Sequence, residues 1–374
     1  MKCSAPIVLA AIPAVGAFET YPDCPTLVGD VTVKAADIFP ESAEFALSNC
    51  KFYIGSLNNG SLIEHDPYTS VTREIKLPEV SHNEDYFICG VDFSYASGTI
   101  YVAASARYPW WPTIGANLTG PNRIIQYSPI TDSIVWSANI DDVISAEVEK
   151  TGSPFAGFQD MAEDRDGNAY FIGTFGNIIV KVDPKGQATK FYTPEPVNDK
   201  SYGFGGLFVT LDNVLVLGDG VSDGFVRFDL SSSTPARPSF TTPKGHPEDF
   251  EEILECDSLT APRRYNDKVA LCSNVLDRKF SKHGMITVYT SDDGWTTSEF
   301  VGMIVNDFGQ WPDVWSTAQF ATADRVYALS SSLPYDDSGF PHTKSTTLVD
   351  ITDRVDKLVP KFVPADAQHA HEEL

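Results

Sequence analysis

One short pattern, repeated six times, constrains this chain more than any other feature. Residues 168–184 read NAYFIGTFGNIIVKVDP: two apolar runs, β-branched and aromatic, separated by small residues and closed by Asp183-Pro184. Each run has the length of a strand and is too short for a helix. The pattern recurs at 51–67 (KFYIGSLNNGSLIEHDP) and 213–230 (NVLVLGDGVSDGFVRFDL), and with a longer middle at 99–129, 268–291 and 325–351. Tyr53 and Tyr327 lie 274 residues and five intervals apart, so the mean period is about 55 residues, near that of a propeller blade. A four-stranded unit cannot cover both of its faces alone. Six of them around an axis can, and closure leaves few free edges. The pattern predicts an all-β chain: a single six-bladed β-propeller over 18–365, with four antiparallel strands per blade.

In detail, 31–33 is expected to complete a blade formed mostly at the C-terminus, closing the ring. The first blade runs through 39–45 (FPESAEF, innermost), 51–56, 62–66 and 72–77. The second starts at 89–94, carries a large loop at 107–123 and ends at 133–138. Innermost strands of later blades are expected at 158–163, 206–210, 250–256 and 317–321. The best helical stretch, 141–150, is short.

Both ends read as addresses. An apolar run at 5–15 follows Met1-Lys2, and Val15-Gly16-Ala17 offers small residues for cleavage; residues 1–17 are expected to be a secretory signal peptide. The last four residues, HEEL, resemble an endoplasmic-reticulum retrieval signal at the end of a 366–374 tail. The expected location is the secretory pathway, in that lumen or secreted. Cleavage would remove Cys3 and leave five cysteines in an oxidising compartment. Cys256 and Cys272, on neighbouring strands of one blade, are paired first. Cys24 bonds Cys50 or Cys89, leaving one thiol over. The sequons at Asn59 and Asn117 fall in inter-strand loops, where a glycan has room. A formal charge of −24 disfavours nucleic acid or an anionic membrane as partner.

If each innermost strand leaves one face, the loops before it and those between second and third strands share that face. These segments are rich in aromatic residues: Tyr108, Trp110, Trp111, Tyr202, Phe204, Trp311, Trp315, Tyr335 and Phe340. Such a set predicts an apolar pocket at the mouth of the channel. No Gly-x-Ser-x-Gly elbow, phosphate-cradling Gly loop or Cys/His zinc spacing is present. The polar candidates at this mouth are Glu41, Asp92, Gln159, Asp160, Asp249, Asp313 and His342. A carboxyl in an apolar channel has a raised pKa and serves as an acid or base.

Two resemblances follow. The repeats at 53–55 and 170–173, the DRDGNAY run at 164–170 and Phe39-Pro40-Glu41-Ser42 look like the gluconolactonase and senescence-marker-protein superfamily. There a Glu, an Asn and an Asp hold one divalent metal. Glu41 matches the Glu, but the Asn position falls at Gly205-Gly206, which has no side chain, and Asp249 is only a loose match; no metal is therefore expected. The second resemblance covers most of the chain. The signal peptide, FPES, YIGSLNNGSLIEHDP and the Trp-rich second loop look like a fungal secondary-metabolite propeller family. That family includes the trichothecene-cluster propeller protein and hetero-Diels–Alderases of tropolone–sesquiterpenoid pathways.

This second resemblance implies an enzyme without a cofactor that joins or cyclises apolar terpenoid and polyketide-derived substrates. In its cycloaddition form, a hydroxymethyl tropolone loses water to give an o-quinone methide, which adds across a double bond of a humulene-type sesquiterpene. The alternatives are a trichothecene-type ring closure, a metal-dependent, lactonase-like hydrolase, and a non-catalytic binding or scaffold propeller that binds ligand without turnover. Loop position assigns the roles. Glu41, Asp160 or His342 delivers the proton. Trp110, Trp111, Trp311 and Trp315 wall the substrates. Arg107, Arg123 or Tyr202 donates to the tropolone oxygens, with Gln159, Phe204 and Tyr335 completing the contacts.

Overall fold

The computed structural model describes residues 21, 23–197, 203–232, 237–247, 256–274, 284–305, 314–332 and 343–364. The expected signal peptide and C-terminal tail lie outside them. A first strand, β1 (Val31–Ile38), precedes the blades. Blade 1 is β2 (Pro40–Ala46), β3 (Lys51–Ser56), β4 (Ser61–Asp66) and β5 (Val71–Ile75). Blade 2 is β6 (Tyr86–Phe93), β7 (Ile100–Ala106), β8 (Arg123–Ser128) and β9 (Ser133–Asn139), followed by the helix α1 (Asp141–Thr151). Blade 3 is β10 (Ala156–Glu163), β11 (Ala169–Phe175), β12 (Ile178–Val182) and β13 (Ala188–Tyr192). Blade 4 is β14 (Phe204–Val209), β15 (Val214–Asp219), β16 (Gly224–Asp229) and β17 (Ser239–Thr241). Blade 5 is β18 (Cys256–Thr260), β19 (Val269–Asn274), β20 (Met285–Thr290) and β21 (Glu299–Val305). Blade 6 is β22 (Val314–Ala321), β23 (Val326–Ser332) and β24 (Thr343–Asp350).

The six-bladed all-β propeller is therefore the fold. Each sheet has four antiparallel strands, and the sixth takes β1 as its outer strand against β24, with Val31 opposite Leu348. Innermost strands touch their neighbours all the way round, β2–β6–β10–β14–β18–β22 and back to β2. The closing strand is longer than 31–33 because 34–38 also pairs, through a bulge. A Cys24–Cys50 disulfide ties the segment before it to the β2–β3 turn, and Cys256–Cys272 joins β18 to β19. Cys89 is the thiol left over, and it is buried.

The core lies between blades, because both faces of every sheet are covered. Tyr53 and Leu62 of blade 1 pack with Ile88, Val102 and Tyr127 of blade 2, and comparable clusters fill the next seams. One strand departs from expectation. The innermost strand of blade 5 begins at Cys256, where the sequence reading had it end, because pairing with β19 sets Cys256 opposite Asn274 and Thr260 opposite Leu271. A second helix, α2 (Thr352–Leu358), follows β24; the sequence reading did not find it. No helix among the described residues is long and apolar enough to cross a membrane.

Candidate active site

Every innermost strand carries a register shift at the same height. Against its second strand, one extra residue falls after Pro40 in β2, Ile88 in β6, Phe158 in β10, Cys256 in β18 and Ser316 in β22; β14 shows the same between Phe204 and Leu207. An extra residue in a ladder is left out of the pairing and its side chain is re-aimed. Here those residues are Glu41, Cys89, Gln159, Asp257 and Thr317, with Gly205-Gly206 in blade 4. They form a ring at the end of the channel where the innermost strands begin.

The glycines in that ring have a packing reason. A Cβ on Gly205 would stand 1.9 Å from the Cys256 carbonyl oxygen, and one on Gly206 would stand 1.8 Å from the Leu259 nitrogen. The backbones of β14 and β18 meet there, so no side chain fits, and the three-ligand metal pattern does not assemble at this position. Asp249, its other member, lies outside the described residues. Among the described residues no three His, Cys, Asp or Glu side chains converge as a metal set.

Above the ring is an apolar cluster. Cys89 packs with Phe39, Leu57 and Phe87, and Trp110 and Trp111 from the 107–122 loop lie against them. The Trp110 ring is 5.4 Å from that of Phe175, and the Arg107 guanidinium sits 5.5 Å over Phe87. Asn122 clamps the base of the loop: its Oδ1 accepts from the Ala106 amide, its Nδ2 donates to the Gly120 carbonyl, and its own amide donates to Asp141. The loop thus holds two tryptophans over the ring from a fixed base.

The ring carboxyls titrate abnormally. Burial, then the charge of Asp257, raises Glu41 well above the usual carboxylate range. Burial pushes Asp257 up to about 7. The Cys89 thiol is also raised, by burial first and then by Glu41 and Asp257, so the three groups share one field. Two acids facing each other in a confined channel do not both ionise at neutral pH. Both shifts favour the protonated form, and a carboxylic acid is the form that can donate a proton.

The other end of the channel is different. A cavity of about 110 Å³ is lined by Glu44, Asp92, Asp160, Glu163 and Arg263, among others. Burial pushes Glu44 up to about 8 and Glu163 up to about 7, and raises Asp92 well above its usual value, with Glu44 and Glu163 adding to it. Here the acids have structural partners. Asp160 accepts from the amides of Met161 (2.9 Å) and Leu207 (3.2 Å), joining blade 3 to blade 4. Glu163 accepts from the Ser94 hydroxyl and the Ala96 amide, joining blade 3 to blade 2. Arg263 stacks on Tyr95 with its guanidinium carbon 3.3 Å from the ring centre, and its charge draws Glu44 back down.

Among the expected site residues, Glu41, Gln159, Arg107, Trp110 and Trp111 come together at the upper mouth. Asp160 is one residue past the bulge and bonded to backbone amides; burial still pushes it up to about 7. Two others are drawn elsewhere. Arg123 starts β8, donates to the Tyr86 hydroxyl and pairs with Glu79 at 2.8 Å, so its guanidinium is used at the rim. Phe204 is buried in the seam between blades 3 and 4, with Ile172, Ile179 and Leu217. Tyr202, Trp311, Tyr335 and His342 lie outside the described residues, as does the side chain of Trp315 within β22. Of the sequons, Asn117 is exposed and Asn59 half-buried. Sequence reasoning missed Asp257 and Cys89 as members of the ring. Their signal was available only as alignment with Glu41 at the start of each innermost strand.

Comparison with known proteins adds to this geometry. Residues 21–246 match the family described as Mal s 1 allergenic protein-like. The chain is 25% identical over 354 residues to "Trichothecene biosynthesis protein 14" of Trichoderma arundinaceum, covering 90% of this chain and 92% of that one. It is 23% identical over 372 residues to "Core trichothecene cluster (CTC) protein 14" of Fusarium sporotrichioides, covering 96% and 93%. Among solved structures, it resembles the major Malassezia sympodialis allergen Mala s 1, with a TM-score of 0.71 and 18% identity over 87% of this chain and 96% of that one. A luciferin-regenerating enzyme shares the fold at a TM-score of 0.52 and 14% identity, covering 86% and 95%.

Proposed function

This chain belongs to the Mal s 1 allergenic protein-like family, and from that premise we propose that it is a biosynthetic propeller of fungal secondary metabolism. Its upper mouth forms a ring on an apolar terpenoid substrate by acid assistance, without a cofactor. The observation that carries this reading is the raised Glu41–Asp257 pair, whose charges reach Cys89, itself packed with Phe39, Phe87, Trp110 and Trp111. The names of its curated relatives point to trichothecene biosynthesis, and an acid under an aromatic wall suits a cyclisation that begins with loss of a hydroxyl.

In the cycloaddition form, Glu41 protonates the hydroxyl of a hydroxymethyl tropolone and water leaves. The resulting o-quinone methide is held flat against Trp110 and Trp111 while a humulene-type alkene adds across it. Proximity and exclusion of water supply most of the acceleration for that second step. Arg107, beside Phe87, is the cation placed to polarise the tropolone oxygens. In the trichothecene-type form, the same acid ionises a hydroxylated sesquiterpene, which closes a ring on itself. The apolar mouth serves both forms.

The test is turnover of both substrate types by the purified protein, followed by chiral product analysis. One stereoisomer formed faster than the spontaneous mixture is the expected result, and the substrate that gives it selects between the two forms. Products identical to the uncatalysed mixture with every substrate would overturn the reading.

A further inference from the structure

Two turns at the lower end of the channel meet across its axis. Residues 94–99 follow the innermost strand of blade 2, and residues 261–268 follow that of blade 5. In a ring of six these blades stand opposite each other, with two blades between them on either side. Yet Arg263 of the second turn sets its guanidinium carbon 3.3 Å from the ring centre of Tyr95 in the first. Contacts between neighbouring blades hold the ring together, whereas a contact between opposite blades spans the opening. All six innermost strands line the lower cavity of about 110 Å³, and Tyr95 and Arg263 line it too. The pair is the floor of that chamber.

Tyr95 is held from behind. Its ring packs edge-on against Phe93 at 5.1 Å, and Phe93 packs edge-on against Tyr21 at 5.2 Å. The Tyr21 hydroxyl donates to the Tyr95 carbonyl at 3.0 Å. Gly98, in the left-handed region at φ 67°, leaves the notch for that ring, since a Cβ there would stand 2.9 Å from Tyr21 Cε1. Three residues on, Cys24 is bonded to Cys50 beside the same turn. From the other side, Arg263 meets a chamber whose walls carry Glu44 on β2, Asp92 on β6, and Asp160 and Glu163 on β10, with Asp267 in its own turn. That field pulls the cation inward, and stacking on an aromatic face sets where it stops.

We propose that Arg263 and Tyr95 form a strap that closes the lower end of the channel, and that the Tyr21 segment, locked by Cys24–Cys50, is the buttress that keeps it closed. Ligand and water then exchange through the upper mouth, whatever chemistry occurs there. Neither strap residue lies in a strand, and Arg263 is exposed. This part of the chamber wall can therefore open without parting any β-ladder.

The experiment puts a reporter behind the strap. Ser258 lines the chamber from β18; in a Cys89→Ala background, the Ser258→Cys variant reacts with a small cationic methanethiosulfonate at a rate that reads access. Peptide mapping checks that Cys256–Cys272 is retained, and Tm checks the fold. Adding Arg263→Ala or Tyr95→Ala should speed the reaction by about tenfold or more, as loss of the cation–π contact predicts, and Tyr21→Ala by a smaller factor. Methylguanidinium in solution should restore the slow rate in Arg263→Ala, where Tyr95 still offers its face, and not in Tyr95→Ala. Equal rates with and without the strap residues would overturn the proposal. So would a thiol in the strapped protein that reacts as fast as in the urea-unfolded chain, or an acceleration in Arg263→Ala that methylguanidinium does not reverse, which marks general loosening.

Discussion

The two ends of the channel are both acidic, yet they are built for different ends. At the upper mouth, Glu41 and Asp257 occupy bulges, and their charges reach Cys89, which packs with Phe39 and Phe87. At the lower mouth, Asp160 and Glu163 are tied to amides and hydroxyls of neighbouring blades, and Arg263 stands beside them on Tyr95. The contrast teaches that burial alone does not mark a reactive acid, since burial raises carboxyls at both ends. What separates them is whether the structure has already spent the lone pairs.

That contrast is sharpest in a pair of substitutions. Glu41→Gln should lower kcat by about 10²–10⁴-fold while leaving the fold intact, because it removes the donated proton and little else. Glu163→Ala should do the reverse: destabilise by about 1–3 kcal/mol, chiefly through the Ala96 amide left without its acceptor, with turnover near wild type. Denaturant unfolding and steady-state kinetics on the same two variants decide it. If Glu163→Ala abolishes turnover without loss of stability, the two ends are not distinct.

Next in size is the aromatic wall. Trp110→Ala should reduce kcat/KM by about tenfold and mix the product stereochemistry, since it removes a face that orients the substrate without touching the acid. Unchanged stereochemistry would mean that the wall serves packing alone.

A pH scan tests both ends together. Glu41, Glu44, Asp92, Asp160, Glu163 and Asp257 all have folded pKa values raised above the unfolded value. Such groups contribute stability fully below about pH 4, and lose it as pH rises through the folded values toward 7–8. Glu64, held down to about 2 by Arg73, Lys51 and Tyr53 against the cost of burial, works the other way, but its gain is complete by about pH 5. Tm should therefore fall between pH 5 and pH 8, by about 5 °C. A Tm that rises over this window would contradict the assignment.

The smallest effect is at the lower stopper. Arg263→Ala should cost under about 1 kcal/mol, because the side chain is exposed and its charge is screened, and it should deepen the pH dependence by leaving Glu44 without its cation.

Much of the fold was legible because its cause is local. Each YIG- or YFIG-like run has to be buried on both faces, and only a ring of blades does that for six of them. The closing role of 31–33 and the Cys256–Cys272 disulfide followed from the same geometry, since those cysteines fall on adjacent strands; Cys24 was left between Cys50 and Cys89, and the fold gives it Cys50. The bulges were not legible, because they arise from the fit of one innermost strand to its neighbours. Glu41 was found through the FPES motif; Asp257 was missed because the 250–256 run started the strand six residues too early. Gly205-Gly206 was read as a missing ligand. It is a seam where two backbones meet.

That seam and the bulge ring have a consequence for how such a scaffold changes its chemistry. A bulge residue owes nothing to the ladder, and the five such positions around the axis carry five different side chains: Glu41, Cys89, Gln159, Asp257 and Thr317. The sixth is fixed as glycine by contact. The ring is thus lopsided in any version of this architecture that keeps the seam, and a substrate settling into the mouth always meets one blank side. A symmetric scaffold built of six similar blades acquires from that gap a built-in sense of direction.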